Sequence, residues 1–133
     1  MKIVTLANLA ESTKQEVFGH VLAHARKQQC KSMSETLNSC VYRDGKGNSC
    51  FAGALMTDEE HQAITADKQR GNRNYMGWLS MAEMKLVPSA HQFLISQLQS
   101  IHDHYRVEEW ETRFTAIAYN FNLNCAPPTK EEA

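Results

Sequence analysis

The chain has no long apolar run, no basic block and no close cysteine pair, and each absence removes a class of protein. The longest uncharged stretch near its start, Ile3 to Ala10, is too short to span a bilayer and lacks the apolar core of a secretory signal. A membrane partner is not expected, and the expected compartment is the cytoplasm. Fourteen Lys and Arg stand against fifteen Asp and Glu, a formal charge of -1, and there is no acidic tail longer than Glu131-Glu132. An extended nucleic-acid footprint is therefore not expected, because phosphate affinity scales with the number of cationic contacts. Four cysteines occur without any Cys-x-x-Cys spacing, so structural zinc is not expected, and outside a secretory setting the thiols read as reduced.

What is present is ordinary globular material: 133 residues, 42% apolar and 22% charged. That is the usual size of one folding unit. The expected organisation is a single compact domain over residues 1–125 with a disordered tail at residues 126–133, where Pro127-Pro128 ends the periodic sequence.

Apolar periodicity and capping signals place about five helices. Thr13-x-x-Glu16 is a capping box, and Val17, Phe18, Val21, Leu22 and Ala25 follow at helical spacing to about Gln29. Thr57-x-x-Glu60 is a second, with three carboxylates in the first turn and a helix to about Ala66. Trp78, Leu79 and Met84 suit a short helix ended near Val87 by Pro88. Ser89-x-x-Gln92 then caps a longer one carrying Leu94, Leu98 and Ile101, and Trp110, Phe114, Ile117 and Phe121 mark the last. Lys2 to Leu6 reads as a short strand or an extended segment. Between the first two helices, Cys40-Val41-Tyr42-Arg43 and Ser49-Cys50-Phe51 flank Asp44-Gly45-Lys46-Gly47-Asn48, which predicts a β-hairpin about a glycine turn. The expected fold is thus α+β and mostly helical, with helices packed around one hairpin.

Several constellations could carry chemistry. His20 and His24 lie four apart and His102-Asp103-His104 closes a later helix, but Val21 stands where a zinc-protease helix has Glu, so no metal or other cofactor is expected. Cys50 precedes Phe51-Ala52-Gly53-Ala54-Leu55, a run able to turn from strand to helix, where unpaired N–H groups favour a thiolate; His61 would be its base. Against that stands the plainer reading of Cys40 and Cys50 as small packing groups, with Gly53 serving a close backbone approach. The glycine turn completes neither a calcium loop nor a P-loop, though its N–H groups beside Arg43 and Lys46 could hold a small anionic ligand. Arg43, Asp44, Lys46, Arg70, Arg73, Tyr75 and Trp78 form the candidate binding surface, since aromatics and Arg dominate recognition hot spots.

Cys40-x-Tyr42-Arg43, a glycine turn, Cys50-x-x-Gly53-x-Leu55 and Asp58-Glu59 together resemble a group of small tailed-bacteriophage proteins of unassigned function. The resemblance implies a small accessory protein made inside an infected bacterium, of a kind that binds and disables a host or defence component. It transfers no catalytic role to any residue. The leading expectation is a non-enzymatic binding protein with a host or defence protein as partner. The alternative is a cysteine enzyme or nucleotide-binding protein using Cys50 and the glycine turn. A third reading is self-assembly through the helix from Trp110 to Phe121.

Overall fold

The computed structural model describes residues 2–34, 39–65, 74 and 76–128. Five α-helices occur among them: α1, Lys14–Gln28; α2, Asp58–Thr65; α3, Trp78–Glu83; α4, Gln92–His104; and α5, Trp110–Asn120. Single 3-10 turns lie at Leu9–Glu11, Gly53–Leu55 and Val107–Glu109. None of the helices is long and apolar enough to cross a membrane.

Both expected capping boxes form. Thr13 Oγ1 accepts from the Glu16 N–H while the Glu16 carboxylate accepts from the Thr13 N–H. Thr57 and Glu60 repeat the exchange, and Glu60 also accepts from the N–H groups of Leu6 and Ala7, fastening the N-terminal segment to α2. Ser89 does not cap α4. Instead His91 turns into left-handed backbone at φ 60° and Gln92 donates to the Ser89 carbonyl.

Helix α4 is the central element, packed on α1, α3 and α5. Its Leu94, Ile95, Leu98 and Ile101 are buried, as are Val17, Phe18 and Val21 of α1 and Trp110 and Phe114 of α5. Phe18 and Phe114 meet edge-on at 5.8 Å. Arg26 joins α1 to α5 through a two-pronged pair with Glu111 at 2.9 Å and also reaches the Ala126 carbonyl.

The α+β expectation is corrected here: the described residues contain no strand, neither over Lys2 to Leu6 nor in a hairpin, and the fold is helical. Among the described residues two isolated antiparallel bridges form, Met33 with Cys40 and Arg43 with Ser49. The glycine turn exists, with Gly45 at φ 80° and Gly47 at φ 90°, but no ladder extends from it because other groups hold the backbone on both sides. Val41 N–H donates to the Ser32 carbonyl and Tyr42 N–H to that of Asn74. Opposite them, Ser49 donates to Gln28 Oε1, and its carbonyl accepts from Gln28 and His24 of α1. A backbone N–H given to a helix side chain is lost to strand pairing. Of the expected tail, Ala126 is held by Arg26, and residues 129–133 lie outside the described set.

Candidate functional site

The glycine turn is closed by its own acid. Asp44 Oδ1 accepts from the N–H groups of Lys46 at 2.7 Å and Asn48 at 3.1 Å, and Oδ2 from the Asn48 amide. Burial works against the charge on Asp44, but those hydrogen bonds and the Lys46 ammonium outweigh it and hold the carboxyl below its ordinary range. The donors that an external phosphate would need already have an anion.

Arg43 points inwards. Its Nη1 donates to the carbonyls of Gly53 at 2.7 Å and Tyr42 at 3.3 Å, Nη2 to that of Met56 at 2.8 Å, and Nε to Asp58. The guanidinium thereby caps the carbonyl end of the Gly53–Leu55 turn. Gly53 is required by this approach: a Cβ there would lie 2.7 Å from the Tyr42 oxygen. Trp78 is buried in the core, and its indole N–H finds no acceptor among the described residues. Tyr42 is buried too and donates its hydroxyl to the Met76 carbonyl. Arg70, Arg73 and Tyr75 lie outside the described residues.

Cys50 is buried, and its sulfur accepts from the Gly53 N–H at 3.2 Å. It lies ahead of the short 3-10 turn Gly53–Leu55, where a long helix would have offered a stronger dipole. Burial pushes the thiol up despite the Gly53 bond. His61 hydrogen-bonds Asn74 Oδ1 at 2.8 Å, and no hydrogen bond joins it to Cys50. The expected nucleophile and base are not brought together.

The histidines four apart on α1 hold backbone. His20 accepts from the Val4 N–H on Nδ1 and meets the Ala54 carbonyl with Nε2, while His24 reaches Ser49 and has its pKa lowered chiefly by burial.

What the sequence reading missed is a buried polar network on α4. His102 is fully buried; its Nε2 accepts from the Ser32 N–H at 2.9 Å, so the neutral ring carries its proton on Nδ1 and donates it to Asp103 at 2.8 Å. Asp103 also accepts from Gln99 Nε2 at 2.7 Å, and Gln99 Oε1 accepts from the Ala52 N–H. One carboxylate thus orients two side chains that each hold a distant segment. Cys40 adds its sulfur beside Asp103 and 3.5 Å from Met33 Sδ; burial pushes its thiol up to about 12. A sulfur, a nitrogen and a carboxylate oxygen of Cys40, His102 and Asp103 lie within 4.8 Å of one another, the spread of a metal-ligand set. The Ser32 contact decides against that use: a metal on Nδ1 would force the ring proton onto Nε2, donor facing donor. It equally prevents His102 from acting as base toward Cys40. The adjoining cavity, between Cys40, Cys50, Gln99 and Asp103, measures about 50 Å³, room for a few waters. The local clues were the adjacent His102-Asp103 and Gln99 four residues before Asp103, a helical neighbour spacing; Cys40 and Ser32 are remote in sequence.

Burial opposes the charge on Asp103, yet the bonds from His102, Cys40 and Gln99 prevail and hold its carboxyl below the ordinary value. Its contribution to stability is therefore present above about pH 4, the unfolded value, and lost as pH falls through the lower folded one. Asp103→Asn should cost about 1–2 kcal/mol at pH 7 by leaving a buried donor poorly matched. The difference from wild type in urea melts should shrink as the pH is taken to 3.

No family model, curated protein or solved structure matches the chain.

Proposed function

We propose that the protein acts by binding another protein and carries out no reaction of its own. The observation that supports this reading is the inward commitment of its chemical groups. Cys50, His61, His102 and Arg43 each commit polar atoms to the fold itself. At the surface, by contrast, Leu79 on α3, Met84 just after it and Phe93 in the first turn of α4 are exposed, Phe93 by 65%. Large apolar side chains repeated over so short a stretch suit a contact with an apolar partner surface.

The contact surface accordingly moves from Arg43 and Trp78 to the segment from Leu79 to Phe93. The resemblance to phage accessory proteins directs the search to a bacterial host or defence component. Tagged protein expressed in bacteria should capture a partner at about one copy per copy. Leu79→Asp and Phe93→Asp, both at exposed positions, should abolish that capture with unchanged helicity and Tm. Capture that survives both substitutions, or no stoichiometric partner at all, would overturn the proposal.

A further inference from the structure

Between α4 and α5 lies a cleft of about 230 Å³, apart from the candidate site residues described above. Buried Ile101 and Ile117 line its apolar part, Ser100 and Asn120 its polar part, and Tyr105 and Arg113 face one another within it. The Arg113 guanidinium sits 4.2 Å from the centroid of the Tyr105 ring. Tyr105 is itself fixed, its N–H on the Ile101 carbonyl and its own carbonyl accepting from the Trp110 indole.

Stacking uses the face of a guanidinium and leaves its N–H edge available. Among the described residues no hydrogen bond or ion pair occupies that edge. Glu109, one turn earlier, feels the Arg113 charge but gives its hydrogen bonds to the backbone and side chain of Arg106. Arg113 also stands in the first turn of α5, the end of a helix that favours an anion. A planar cation held in place, with donors in a fork, matches a carboxylate in two-pronged geometry. The volume is below that of pockets for drug-sized ligands, so the body carrying the acid must be small.

We infer that this cleft binds a carboxylate borne on a small apolar body, Arg113 pairing with the acid while Ile101 and Ile117 pack against the body. Either a free organic acid or the C-terminal residue of a peptide presents that chemistry. Nitrogen–proton correlation spectra of the full chain, titrated with benzoate and with a tripeptide ending in a free leucine carboxylate, distinguish the two. At least one should give saturable shifts centred on Ser100, Tyr105 and Arg113. Benzamide and the peptide amide should bind at least tenfold more weakly, as should the acids to Arg113→Gln. Tighter benzoate assigns the site to free acids, and tighter peptide assigns it to chain termini. Absence of localised shifts with both acids, equal binding of the amides, or unchanged affinity in Arg113→Gln would overturn the inference.

Discussion

Phe51→Ala is expected to lower stability by about 3–5 kcal/mol, the range for truncating a fully buried aromatic, and Tm by about 10–20 °C for a chain of this size. Phe51 belongs to no helix, yet its ring is the hub of the core. It lies 4.8 Å from Trp110, 5.2 Å from His102, 5.3 Å from Phe114 and 6.4 Å from His24, which brings α1, α4 and α5 onto one side chain. Those partners are set by three separate helices, so the vacated volume collapses poorly and the cavity term adds to the transfer term. Denaturant and thermal melts give the number. A loss below about 1 kcal/mol, the level of an average substitution, would mean that the aromatic hub is not assembled as described.

Arg43→Ala is expected to cost about 2–4 kcal/mol, far above the effect of an ordinary surface arginine. The side chain is 20% exposed, and its removal takes the donor from the Met56 carbonyl and the shorter of two from the Gly53 carbonyl, which keeps only the Met56 N–H at 3.3 Å. Arg43→Lys should recover less than half of the loss, because one ammonium cannot span three carbonyls that a planar fork reaches together. Equilibrium unfolding in urea separates the cases. A near-neutral alanine variant would return Arg43 to the surface, where its place beside a glycine turn suggests it belongs.

The helices were legible because their signals are local. Two capping boxes and the stripe of α4 need nothing beyond their own turns, and α1 begins and ends within a residue of where Thr13 and Gln29 put it. The hairpin misled because its local chemistry is sound: positive φ at Gly45 and Gly47 does turn the chain. Strand pairing, however, depends on which partners reach the backbone first. Gln28, His24 and Asn74 hold those groups. Nothing near Cys40 or Cys50 announces that competition. The α4 network was illegible for the same reason, since Ser32 and Ala52 meet His102 and Gln99 only once the chain is folded. The burial of Cys50, which pushes its thiol up, depends on tertiary packing and cannot be read from the neighbours of the thiol.

Residues 40–53, held by side chains from α1 and α4 where a ladder would otherwise run, cannot be a portable module. A hairpin carries its own pairing and can be moved between scaffolds or lost as a unit. This segment is encoded in two places, its own residues and a set of helix positions that includes His24, Gln28, Gln99 and His102, so any lineage that keeps its shape must keep both together. Drift on the inner faces of α1 and α4 is constrained by a loop as much as by the core, and grafting the glycine-turn sequence alone into another protein would transfer the bend without the conformation around it.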